Sequence, residues 1–201
     1  MEYYKDLITK KSFEILAELK RQYKFILIGG WAVFLYTHSL KSKDIDVVID
    51  YEELEKLREN FDLAKNERLK KYEIIIEEID IDLYLPFYSN PGIPAEEIKK
   101  YTQTIEGFLV PRPEILLILK QGAYLERLTS PKGQKDKADI ISLLNSDLID
   151  FKFYRKILKK YNLEDYLGEL KNLLQSTNRV PELKLNQFQY SRFEKKILKK
   201  L

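Results

Sequence analysis

FILIGGWAVFLYTHSLKSKDIDVVID, residues 25–50, is the stretch on which the fold turns. Phe25 to Ile28 form a short apolar run that stops at Gly29-Gly30, which reads as a strand entering a tight turn. Trp31 to Tyr36 then begin a buried helix. Ile45 to Ile49 make a second strand, headed by Asp44 and Asp46 and apolar after them. The order is therefore strand, glycine turn, helix, acid-headed strand.

Working outward, residues 5–21 carry Leu7, Ile8, Phe13, Ile15, Leu16 and Leu19 at helical spacing and predict an amphipathic helix. Downstream, 52–61 reads as a charged helix lying on the sheet. Tyr72 to Ile76 and Ile79 to Leu85 read as strands, closed by Pro86 and the turn Ser89-Asn90-Pro91-Gly92. Ile105 to Val110 adds one more short strand. Beyond it only helical periodicity remains, over 112–125, 135–144, 150–160, 163–175 and 191–201. This predicts an α/β unit over residues 1–110 and an all-helical unit over 111–201.

The acids carry the chemistry. Residues i and i+2 of a strand face the same side, so Asp44 and Asp46 converge while Ile45 turns the other way. Asp80 and Asp82 repeat the arrangement on a later strand. If the two strands are neighbours, three or four carboxylates meet, as a two-metal phosphoryl-transfer centre requires. A solvated strand end explains a single Asp-x-Asp pair equally well. Gly29-Gly30 lets backbone approach a phosphate at a helix N-terminus, and is also an ordinary turn. Ser42, between Lys41 and Lys43, offers a hydroxyl and positive charge to outer phosphates, or is simply part of a polar loop.

Composition narrows the metal. The chain has no cysteine and a single histidine, His38, which excludes disulfides, thiolate sites and multi-imidazole zinc sites. A carboxylate-held ion is a hard one, Mg2+ or Mn2+. A net charge of +3 permits a polyanionic partner without demanding one. No stretch has the length of a transmembrane helix and the first residues lack a signal peptide's apolar core, so a cytoplasmic protein without a membrane partner is expected.

The succession GGWAVFLYTH, KSKDIDVVID, EIDIDLYLPF resembles the nucleotidyltransferase superfamily related to DNA polymerase beta. The resemblance implies an α+β fold: a mixed sheet with flanking helices, followed by a C-terminal helical bundle that completes the active-site cleft. It implies that Gly29 and Gly30 cradle nucleotide phosphates and that Asp44 and Asp46 bind the metal. The third carboxylate falls on Asp82, with Asp80 as alternate, since both share strand parity. Many members have Gly-Ser where this chain has Gly-Gly-Trp, which removes one hydroxyl contact.

In the helical half, LVPRPEILLILKQGAYLERLTSPKGQKDKADIISLL resembles the AbiEii type of nucleotidyltransferase toxins and their uncharacterised prokaryotic relatives. That likeness assigns Lys120 and Lys135 to the nucleotide phosphates and Asp136 to a base or positioning role. Arg127 and Asp139 accompany them, and interhelical ion pairing is the competing reading for the group. Trp31, Phe34 and Tyr36 read as core or interface, and His38 as local loop structure.

Together these imply metal-dependent transfer of a nucleoside monophosphate from a nucleoside triphosphate to a hydroxyl. The acceptor would be an RNA, such as a tRNA end, or a protein. A cognate toxin or antitoxin partner, as in a defence system, is part of the same expectation. The alternative is a catalytically inactive nucleotide-binding or protein-interaction member of the same fold.

Overall fold

A computed structural model describes the backbone of residues 2–201 and the side chains from residue 6 onward. It divides into two compact units, Met1–Arg112 and Pro113–Leu201.

The first unit opens with helix α1, Glu2–Gln22, and strand β1, Ile26–Ile28. Helix α2, Gly29–Thr37, starts directly on the glycine pair rather than at Trp31. Strand β2, Ile45–Val48, and helix α3, Tyr51–Asn60, follow. Then come β3, Ala64–Asn66, β4, Lys71–Ile76, and β5, Ile79–Tyr84. These five strands form one mixed sheet in the order β1-β2-β5-β4-β3. Only the β2–β5 pairing is parallel; the others are antiparallel.

Beyond a short helix α4, Ala95–Ile98, lies a separate hairpin of β6, Thr102–Ile105, and β7, Phe108–Pro111. The single strand expected over 105–110 is thus interrupted. Glu106 and Gly107 both take positive φ, 48° and 76°, and make the two-residue turn. Such a turn needs left-handed backbone at both positions, and Glu-Gly meets it less obviously than Asn-Gly.

Burial explains why the sheet is one-sided. Along β5, Ile79, Ile81 and Leu83 are buried, while Asp80, Asp82 and Tyr84 remain partly open. The covered face joins Leu16, Leu27, Ile45, Leu54 and Ile74 in the core, with Trp31 wholly inside. Trp31 donates its Nε1–H to Ser12 Oγ at 2.9 Å, so α2 is tied to α1 by a satisfied buried polar pair.

The second unit contains α5, Pro113–Glu126, α6, Pro131–Asn145, α7, Phe151–Lys160, α8, Asp165–Ser176, and α9, Gln187–Leu198. Helix α6 begins four residues earlier than its apolar periodicity suggests. Ser130 caps it by accepting from the Gly133 N–H, with Pro131 in the first turn. Asn186 and Gln189 form a reciprocal capping box on α9. Among the described residues, no helix is long and apolar enough to cross a membrane.

Candidate active site

Strand register decides which carboxylates meet. In the parallel β2–β5 pair, Asp46 lies opposite Asp82. In the antiparallel β5–β4 pair, Asp82 lies opposite Glu73. Directly opposed residues share a face, so Asp46, Asp82 and Glu73 form an acidic row across three strands on the open side of the sheet. Asp80 has the same parity but stands opposite Ile75, which is 70% exposed. Asp44 precedes β2 at a bend and is half-buried.

At the other end of the row lies the glycine turn. Gly29 has φ +67°, and a Cβ on it would stand 2.0 Å from Asp46 Oδ2. The bare glycine is therefore demanded twice, by its left-handed backbone and by the Asp46 carboxylate resting on it. Helix α2 starts there with no side-chain cap, since Ile28 occupies the cap position. Its leading N–H groups and its dipole thus present positive potential beside Asp46.

A lysine that the sequence did not single out completes the row. Lys71, at the start of β4, is 8% exposed. Its ammonium lies 2.5 Å from Asp82 Oδ2 and 3.0 Å from Glu73 Oε1. Asn66 donates to the same Glu73 oxygen at 2.9 Å and steadies that side. Burial works against the charge of Lys71, but the two carboxylates outweigh it and hold its pKa above the ordinary lysine value. Asp82 responds the opposite way. Desolvation, and then the charge of Asp46, push its carboxyl up to about 6, despite the opposing pull of Lys71. One ammonium shared between two carboxylates does not offset a third acid in register with them.

The donor set suits a hard divalent cation: carboxylate oxygens only, with negative charge in excess. Among the described residues, no group of three or more metal-ligating side chains is gathered closely enough to hold an ion alone. Mg2+ commonly uses one or two carboxylates and completes its shell with water and substrate phosphates, and Asp46 with Asp82 or Asp44 meets that requirement.

The remaining positions singled out in the sequence are placed as follows. Gly30 and Ser42 are buried, and Lys43 is exposed. His38 caps the C-terminus of α2 in left-handed conformation, and its ring stands edge-on to Phe34. Within the helical unit, Lys120 is 7% exposed, with Nζ 3.1 Å from Asp136 Oδ1 and 2.7 Å from Asp139 Oδ2. Arg127 Nε binds Asp136 Oδ2 at 2.7 Å. Lys135 is half-buried, and its charge reaches Asp139. Asp139 is fully buried and neither of its oxygens has a well-directed hydrogen bond. Desolvation raises its pKa, against the pull of Lys120. Lys120 of α5, and Arg127 just beyond it, are thereby tied to Asp136 and Asp139 of α6.

A cavity of about 560 Å³ opens at the far end of β1 and β2, around Lys20, Phe25, Ile49, Phe87 and Phe108. It includes neither the glycine turn nor the acidic row. Acids held in register against a glycine turn are the more specific feature.

No family model matches the sequence, and no curated protein does. Solved structures do. A Helicobacter pylori protein described as a nucleotidyltransferase by assignment superposes with a TM-score of 0.50 at 16% identity, covering 96% of both chains. An antigenic nucleotidyltransferase-like protein from Paracoccidioides brasiliensis gives 0.48 at 17% identity, over 90% of this chain and 94% of that one. ANT(2")-Ia in complex with adenylyl-2"-tobramycin gives 0.42 at 14%, over 94% and 98%. The first likeness carries the statement of fold: this is the nucleotidyltransferase fold, α+β with a mixed sheet.

Proposed function

We propose that this chain transfers a nucleoside monophosphate from a nucleoside triphosphate to a hydroxyl group. The observation that carries the reading is the in-register pair Asp46 and Asp82 beside the uncapped start of α2, with Asp46 resting on Gly29. The helix N-terminus and backbone at Gly29-Gly30 would receive phosphate oxygens. Asp46, with Asp44 and Asp82, would hold Mg2+ or Mn2+. That ion, when bound, supplies charge neutralisation at the triphosphate and polarises a phosphoryl oxygen.

In the transfer, the acceptor oxygen forms a bond to the α-phosphorus. The bond from that phosphorus to the β-phosphate oxygen breaks, and pyrophosphate leaves. Asp82 would orient the acceptor hydroxyl and take its proton. Asp80 faces Ile75 outside the row, which favours Asp82 as the third acid. Lys120, Asp136 and Arg127 are engaged with one another, which favours the interhelical reading over a phosphate-binding one. An RNA end or a protein serves as acceptor in this proposal, and the AbiEii-like, toxin-type setting rests on the sequence resemblance alone.

A second reading is a nucleotide-binding member without catalysis. One observation favours it: Lys71 already supplies a positive charge to Asp82. Incubation with each of the four α-labelled triphosphates, Mg2+ or Mn2+, total RNA and cell protein separates the two. The enzyme reading expects label in a discrete acceptor band, lost in Asp46→Asn. Absence of label with every triphosphate and both metals, from a protein that still binds nucleotide, would establish the second.

A further inference from the structure

We infer that helices α7 and α9 of the second unit present a binding face for a single-stranded polynucleotide, with cations on its phosphates and Phe188 against a base. Such binding is independent of the transfer reading, because it uses neither the acidic row nor the glycine turn.

Charge is unevenly divided along the chain. Residues 1–112 carry 17 Lys plus Arg against 21 Asp plus Glu, whereas residues 113–201 carry 18 against 11. A net charge of +3 therefore joins an acidic first unit to a strongly basic second one. Much of the excess sits on two helices. Helix α7, FKFYRKILKK, has five cations and no acid; all five are exposed, while Phe151, Tyr154, Ile157 and Leu158 are buried. On α9, Phe188, Arg192, Lys195 and Lys199 follow one another at helical spacing along the exposed side. Phe188 is 72% exposed. The two helices meet where Arg155 Nη1 donates to the Lys200 carbonyl at 3.0 Å.

A merely solvated helix in this chain is built differently. On α3, Lys56 pairs with Glu52 and Glu53, and Arg58 with Glu55. Asp147 takes Lys196 and Lys200. Among the described residues, Lys152, Lys156 and Lys159 of α7 and Arg192, Lys195 and Lys199 of α9 form no ion pair. Lys152 and Lys156, like Lys195 and Lys199, are equal charges four apart, which disfavours a helix. Lys152 also stands in the first turn of α7, against the helix dipole. A run of phosphates relieves both, and its binding releases counterions. The apolar sides of both helices are buried within the unit, so neither is free to insert into a lipid surface. An exposed ring in line with three cations suits a strand whose unpaired bases can stack on it.

The test is fluorescence anisotropy of a labelled, mixed-sequence RNA of about 16 nucleotides, with DNA of the same sequence in parallel. EDTA is present so that transfer cannot occur. The triple variants Lys152→Gln/Lys156→Gln/Lys159→Gln and Arg192→Gln/Lys195→Gln/Lys199→Gln are each expected to bind about tenfold more weakly than wild type or worse. Each should also flatten the slope of log affinity against log salt by about 2, as three lost phosphate contacts require. Phe188→Ala should weaken binding about fivefold and leave the slope unchanged. The matched variant Lys10→Gln/Arg21→Gln/Lys100→Gln removes the same charge from exposed positions of the first unit and should stay within about twofold of wild type. Circular dichroism checks each fold. If a triple variant does not fold, Lys156→Gln and Lys195→Gln alone should each weaken binding about threefold. Unchanged affinity in both basic variants, an equal loss in the matched one, or a duplex bound more tightly than either single strand overturns the inference. So does capture of phosphatidylserine vesicles or polyglutamate by a protein that binds neither RNA nor DNA, which assigns the face to a membrane or an acidic protein.

Discussion

Replacing Asp82 by Asn should make the metal-free protein more stable at neutral pH. Asp82 carries a pKa raised from 3.8 to about 6 by burial and by the charge of Asp46. Between those values the folded state holds a proton that the unfolded state has released. Stability therefore falls as pH rises through this window, and the loss is complete above the folded value. A shift of about two units corresponds to ~3 kcal/mol at pH 7.5. Asn keeps the shape of the neutral acid and removes that penalty. Lys71 retains Glu73 as a partner, so its own charge is not stranded, and its pull on Asp82 is already contained in the net shift.

Urea unfolding in the presence of a chelator measures this directly. The chain has one tryptophan, Trp31, buried in the unit that holds the acids, so its fluorescence reports that unit's transition. The midpoint of Asp82→Asn should exceed that of wild type at pH 7.5, and the two should converge as pH approaches 4. A variant that is less stable at pH 7.5, or a gain that persists undiminished at pH 4, would refute the account of Asp82 as a destabilised acid.

Gly29→Ala should lose nucleotidyl transfer and destabilise the same unit by about 1–2 kcal/mol or more, because left-handed backbone is costly with a Cβ and this one would strike Asp46; fluorescence-monitored unfolding and the labelled-transfer assay check both. Asp46→Asn should abolish label transfer, whereas Asp80→Asn, opposite the exposed Ile75, should retain most of it under the same assay. Lys120→Met should destabilise the helical unit by about 3–5 kcal/mol, since it leaves two buried carboxylates without their shared partner. Circular dichroism beyond the Trp31 transition reads that change, and Lys120→Met with Asp139→Asn should recover part of it.

The elements around the decisive stretch were legible because their signals are local. A glycine pair ends β1 and alternation places Asp80 with Asp82, whereas Asp44, read by parity as sharing a face with Asp46, lies at a bend before β2. What the sequence could not supply was register. Asp80 and Asp82 have identical parity, and only the β2–β5 pairing sets Asp82 against Asp46. The same limit hid Lys71. It heads the apolar strand KYEIII, with no motif of its own, and meets Asp82 only because β4 runs back beside β5. Strand β3 was missed for a different reason: Ala64-Lys65-Asn66 is short, polar and at the sheet edge, so neither hydrophobicity nor alternation marks it. The reason for Gly29 also changed. Sequence suggested room for a phosphate, whereas the structure shows a carboxylate already needing that space.

Two charge clusters in this chain use the same residue types and lead to opposite conclusions. Lys120, Arg127, Asp136 and Asp139 are two cations against two acids, with both acids and Lys120 buried. Lys120 and Arg127 are paired directly with these acids, and the charge of Lys135 also reaches Asp139, which is what a helix–helix connection requires. Asp46, Asp82, Glu73 and Lys71 are three acids against one cation, on a sheet face left partly open. Their charges do not cancel, and the charge of Asp46 adds to burial in raising the pKa of Asp82. Folding alone does not favour keeping such a deficit, since one acid replaced by an amide would relieve it. A cation arriving from solution, with a nucleotide to complete its shell, also relieves it, and gives the unbalanced cluster the property that the balanced one lacks.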